Sequence, residues 1–167
     1  RPEAPSAAFG LGWAEFRRGN RDGAVRAWTR FEDRFPSDTR VPLAIELAAE
    51  VASGSGDVAT ADTLFQRVIT RYPSTPYAGA ARVSRALLAL RAGRESEATR
   101  ELDELVRSNQ PQAIDTRVRL IDALASHQAQ AGLEARLGAT PASVGAGSGG
   151  GPPVEPIEMF VARARNG

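Results

Sequence analysis

The only histidine of the chain, His127, is where proton transfer or metal ligation would have to start, because the sequence contains no cysteine. A general base or a metal site needs partners at fixed geometry. Around His127 only Asp122 and Glu134 stand near, at spacings ordinary for a helix surface, so the expectation is a solvated helical histidine. A second candidate is the acidic cluster Glu95, Glu97, Glu101, Asp103 and Glu104. Glu95 and Glu97 fall in a predicted first helical turn, where carboxylates favour the helix dipole. Glu97 and Glu101 form an unfavourable i,i+4 like-charge pair, and Arg94, Arg100 and Arg107 are interleaved with them. A solvated charged face is expected rather than a paired-carboxylate site. The third candidate joins Arg82, Arg85 and Arg91 to Arg117 and Arg119 as a strip that could grip a partner's carboxylate; the competing expectation is scattered, solvated arginines. No nucleophile stands beside a base at a recognisable spacing. The glycine-rich run from Gly145 to Gly151 lacks the strand and helix that a phosphate cradle needs. The expectation is therefore no enzyme, no cofactor and no metal.

Bulk charge narrows the partners. Twenty-one basic residues, all arginine, face 20 acidic ones. A nucleic-acid surface would need a basic excess with stacking aromatics, so nucleic acid is not expected. No apolar run approaches the roughly 18 residues that span a bilayer, so membrane insertion is not expected either. The absence of cysteine suits either redox compartment. The chain opens at Arg1 without methionine, the pattern expected of a trimmed or processed N-terminus.

The elements that must position these side chains repeat. Gly19, Gly56 and Gly93 recur every 37 residues, in phase with Ala24, Ala61 and Ala98, with Trp28, Phe65 and Leu102, and with Phe31, Val68 and Leu105. A fixed period of this size marks stacked supersecondary units, none able to bury its apolar face alone. The spacing predicts helices over about 7–18, with Ser6 as its cap, then 21–34, a third capped by Ser37 or Asp38 with Pro42 near its first turn and running to Ala52, then 57–72, 76–91 and 94–108. A seventh is expected from Pro111 with the stripe Ile114, Val118, Ile121, Leu124 and Ala125, and a short eighth over about 132–137 as a truncated partner. In the sixth, Ala98, Leu102, Leu105 and Val106 are expected to face inward. Gly12, with Ala49 and Ala86 in equivalent places, implies a close helix crossing, and Ala61 is expected at another.

At these residues the chain resembles the tetratricopeptide-repeat family. The family's second-helix signature of alanine, aromatic and proline is matched by Ala24, Trp28 and Pro36, and by Ala61, Phe65 and Pro73. The third repeat has Ala98 and Leu102, with Pro111 one residue late. The first-helix half matches poorly, Arg82 and Arg85 lie off the pattern, and the period of 37 exceeds the family's 34. The resemblance implies an all-α, right-handed superhelix of about 3.5 helix-turn-helix repeats over residues 1–137. It also implies a concave groove lined by first helices. Carried over by position, the groove residues are Phe9, Trp13, Phe16 and Arg17; Glu46, Glu50 and Ser53; and Val83, Leu87, Leu90 and Arg91. The alternative for the aromatics is that they cover the exposed end of the first repeat. Phe9 and Trp13 stand where the family's carboxylate clamp would be, so a chaperone-tail adaptor is not implied. Arg34-Phe35-Pro36-Ser37 and Arg71-Tyr72-Pro73-Ser74 are similar to repeats of bacterial envelope members, the Tol–Pal-associated periplasmic coordinator and the barrel-assembly lipoprotein.

Past Leu137 the composition changes. Residues 138–153 hold six glycines and three prolines, as in a flexible linker. Residues 154–167 regain an amphipathic pattern, with Ile157, Phe160 and Val161 on one face as a candidate tail for docking on the last repeats or in the groove; the alternative is a disordered tail or the start of another domain. The function expected is a non-enzymatic scaffold that binds a protein or peptide partner in its groove, in the periplasm or envelope. The alternatives are a helical accessory domain of a larger enzyme, such as a cell-wall lytic enzyme, and a cytoplasmic regulatory repeat protein.

Overall fold

The computed structural model describes residues 2–138; apart from Gly138, which is helical, the expected linker and the Ile157–Phe160–Val161 tail lie outside the described residues. Those described form seven helices and no strand: α1 (Pro5–Arg17), α2 (Arg21–Arg34), α3 (Val41–Gly54), α4 (Val58–Arg71), α5 (Pro76–Arg91), α6 (Glu95–Arg107) and α7 (Ala113–Gly138). Three antiparallel pairs, α1/α2, α3/α4 and α5/α6, stack through α2 on α3 and α4 on α5.

The 37-residue period is a period of backbone geometry. Gly19, Gly56 and Gly93 hold φ of +79°, +84° and +74°, the left-handed conformation that favours glycine. Just beyond each, an amide closes back on the preceding helix: Asn20 N–H to Glu15 at 2.9 Å, Asp57 to Ala52 at 3.0 Å and Arg94 to Ala89 at 2.8 Å. This is the 6→1 bond of a Schellman cap. The next helix then starts at once. The Asn20 side chain accepts from Gly23 N–H and that of Asp57 from Thr60 N–H, whereas Arg94 offers no such cap. Ser6 does not cap α1, which begins one residue earlier at Pro5 with Ala4 as its N-cap; proline tolerates the first turn, where its missing N–H has no partner to lose.

The core follows the triplets. Ala24, Ala61, Trp28, Phe65, Phe31 and Val68 are all essentially inaccessible. At Gly12 a Cβ would overlap the Trp28 indole, which is why α1 carries glycine there; Ala49 and Ala86, its equivalents, are buried too. The third member of each triplet behaves differently: Ala98 is buried, Leu102 is 43% exposed and Leu105 half-buried. Val106, expected inward, is 79% exposed.

The cause lies in α7. A next repeat would pack its first helix against α6 as α3 packs on α2. Instead α7 hardly touches α6 and lies against α5 and α1. It is one continuous helix, so the expected break into a seventh and a short eighth helix does not occur. Most of the expected inward stripe is rotated out: Ile114 is 63% exposed, Val118 48% and Ala125 exposed, while Ile121 is half-buried and only Leu124 is buried as expected. The face that turns inward carries Ala113, Leu120 and Leu124, because the surface it meets is the concave side of the stack.

Candidate partner-binding groove

The first helices of the pairs, α1, α3 and α5, form the concave side, and α7 crosses it. The fit begins with small residues. Ala78, Gly79, Ala80 and Ala81 are buried on α5, and a Cβ on Gly79 would overlap Gln110 and crowd Ala113. Gly79 thus lets the α6–α7 connection approach closely. One turn along α7, the Arg117 Nε donates to Ser84 Oγ at 2.8 Å and lies 3.7 Å from Glu50 Oε1. The Ser84 hydroxyl donates in turn to Glu50 Oε1. Arg117 on α7, Ser84 on α5 and Glu50 on α3 thereby form one polar chain across three helices. Leu120 and Leu124 join the main hydrophobic core. At the far end the His127 imidazole stacks on Trp13, with ring centroids 4.0 Å apart and planes at 21°.

Helix α3 lies beneath this cover. Between Val41 and Ala52 every residue except Leu43 is buried, the pattern of a helix enclosed on all sides. Glu46 is fully inaccessible, and neither of its oxygens has a hydrogen-bond partner among the described residues. Burial pushes its pKa well above 4.5, and the neighbouring Glu50 carboxylate raises it further while Arg117 opposes. Burial raises Glu50 as well, against the Ser84 hydrogen bond and the charges of Arg117 and Arg91. His127 is shifted down, first by burial and then by the charge of Arg17.

The sequence-derived groove residues are only partly brought together. Trp13, Phe16, Glu46 and Glu50 do lie beneath or beside α7. Val83 and Leu87 are half-buried, and Arg17 and Arg91 are exposed. Phe9 turns elsewhere: its ring meets Phe31 edge-on at 5.6 Å and carries the Arg40 guanidinium at 5.3 Å. The solvated histidine expected at 127 is instead a ring stacked on Trp13. The arginine strip dissolves into ion pairs. Arg82 lies 3.0 Å from Glu101, Arg85 bonds Asp62 at 2.8 Å and also Glu101, and Arg117 belongs to the groove. The acidic cluster is used in the same way, with Glu97 on Arg94 and Glu104 on Arg107.

Sequence reasoning missed Ser84, Leu120 and the groove role of Arg117. One signal was present: Arg117, Leu120, Leu124 and His127 follow i, i+3, i+7, i+10, a helical stripe. It competes with the more apolar stripe from Ile114, which drew the earlier expectation.

Helix pairs stacked in series, with no strand among the described residues, define a helical-repeat protein. Two models of the tetratricopeptide repeat match the chain, over residues 6–38 and 47–114. Together they span more than half of its 167 residues, and the chain belongs to the tetratricopeptide-repeat family. Such repeats serve as protein-interaction scaffolds. No curated protein matches the chain. Among the described residues no helix is long and apolar enough to cross a membrane.

Proposed function

We propose that this chain is a non-enzymatic scaffold whose concave groove takes a helix of a partner protein. The observation that carries the reading is α7, a 26-residue helix seated across α1 and α5 and pinned to α3. The groove accommodates a helix, and in this state its own chain supplies one. A partner would therefore engage after α7 yields. Recognition by a helix in a groove rests on apolar anchors at i, i+3, i+4, i+7 spacing, which Leu120 and Leu124 provide in cis.

A photo-crosslinking residue placed at Leu87 in the groove, and separately at Thr63 on the exposed face of α4, tests this in the cells that make the protein. Partner crosslinks are expected from position 87 and should increase when Arg117→Met loosens α7. Equal crosslinking from position 63, or no response to Arg117→Met, would sink the groove reading. The two Arg-aromatic-Pro-Ser turns support a bacterial envelope address. Recovery of the tagged protein from the cytosolic fraction would move it to the cytoplasmic alternative.

A further inference from the structure

The groove floor carries more carboxyl groups than α7 partners. Glu46 and Glu50 lie one turn apart on α3, both buried. Against them α7 sets a single cation, and it reaches only Glu50, at 3.7 Å. Glu46 is fully inaccessible, and both its oxygens lack a hydrogen-bond partner among the described residues. A buried carboxylate without a partner is costly, and nearly all such groups in folded proteins find one. The groove floor is therefore better matched to a helix that brings a second donor than to the helix now occupying it.

Resting on the groove reading above, we infer that the partner is an amphipathic helix carrying arginine, and that α7 is a resident competitor which imitates it imperfectly. The imitation fixes the features to be recognised. An arginine meets Glu50 and Ser84, apolar residues follow three and seven positions later, and a planar ring sits ten positions on, against Trp13. Ten residues of helix span about 15 Å. The true ligand adds a basic or amide side chain that reaches Glu46. A tethered helix acts at an effective concentration of order mM, so a ligand displaces α7 only if it binds better. The unpartnered Glu46 supplies the place to do so.

The test uses the whole chain with Leu120→Asp and Leu124→Asp, which remove the apolar anchors of α7. Arg117→Ala with His127→Ala serves as a second receptor in case the first fails to fold, with circular dichroism reporting the helical repeats. A fluorescent peptide of residues 113–138 is titrated into each receptor, beside the same peptide carrying Arg117→Met. The unaltered peptide should bind the folded receptor and not the wild-type chain. The Arg117→Met peptide should bind at least tenfold more weakly. Glu50→Gln in the receptor should weaken the unaltered peptide without further weakening the altered one. Equal binding of the two peptides would overturn the arginine inference while leaving the groove reading standing. No binding of the unaltered peptide to either folded receptor would overturn both.

Discussion

Arg117→Met should loosen α7 while leaving the repeats stacked. The substitution keeps an unbranched side chain but removes the guanidinium from Ser84 and Glu50. Glu50 is 6% exposed, so its carboxylate is left with the Ser84 hydroxyl and little water. Breaking a fully buried pair from one side costs about 3–5 kcal/mol. Here the Arg117 side chain is 23% exposed and its nearest approach to Glu50 is 3.7 Å, so solvent screens the pair, and about 2–3 kcal/mol is expected. At 1.4 kcal/mol per tenfold, protection of the α7 amides from hydrogen exchange should fall roughly 30- to 150-fold. The amides of α3, held also by α2 and α4, should lose much less. Glu50→Gln removes the charge that needed a partner, so the double variant should recover about 1–2 kcal/mol relative to the sum of the single losses, within the range for residues in direct contact. Unchanged α7 protection in Arg117→Met, or strictly additive losses, would show that this polar chain does not hold the helix.

Three further outcomes follow from the same geometry. Gly10→Ala and Gly12→Ala, two residues apart on α1, should act in opposite directions. Position 10 has open space and gains up to about 1 kcal/mol of helix propensity, whereas position 12 meets the Trp28 indole and should lose about 1–3 kcal/mol by overpacking; equal melting temperatures would refute the crossing. Glu46, whose pKa is raised in the folded state, binds a proton there that the unfolded chain releases near 4.5, so it makes stability fall as pH rises from about 4.5 toward its folded value. Glu46→Met should flatten that part of the curve and add about 1–3 kcal/mol at neutral pH; a destabilised Glu46→Met would mean that the carboxylate has a partner in solution. His127 has the opposite sign. Its pKa is lowered in the docked state, so the stability it lends α7 is complete above about 6.5 and is lost as pH falls through its folded value. Protection from exchange at the His127 turn, relative to the intrinsic rate at each pH, should fall below pH 6.5 in wild type and not in His127→Phe; an unchanged pH response in His127→Phe would remove the stack from the account.

The fold was legible in the sequence where one position constrains one backbone geometry. Gly19, Gly56 and Gly93 announce three left-handed turns, and Trp28 with Gly12 announces a large side chain entering a place kept small. Those constraints are local to a helix pair, so a 37-residue period is enough to carry them. The course of α7 is not local. Two stripes that share Leu124 run along it, Ile114–Val118–Ile121–Leu124–Ala125 and Arg117–Leu120–Leu124–His127, and intrinsic hydrophobicity favours the first. Choosing the second required knowing that α3 needed cover. That need was visible in part, because the run Val41 to Ala52 is apolar on every face except for two glutamates, the pattern of an enclosed helix. Taking Glu46 and Glu50 as exposed groove residues hid it, since buried carboxylates are rare enough that glutamate ordinarily marks solvent.

The same competition explains why the stack ends as it does. Helix α7 can cover the outer face of α6 or the open side of α3, and not both. Covering α6 would bury Leu102 and Val106, which now stand 43% and 79% exposed, together with Ile114 and Val118. It would also leave two glutamates, Ser84 and Trp13 along the groove. Lying in the groove buries Leu120 and Leu124, gives Glu50 a cation and Trp13 a stacking partner, and lets the small residues of α5 approach closely. Its cost is the apolar edge on α6 and the unpartnered carboxylate of Glu46. The choice between the two arrangements is therefore a balance of several contributions. A balance of that kind is what allows a ligand with a modest advantage at one position to shift the population, and Glu46 is a position at which the resident helix makes no hydrogen bond.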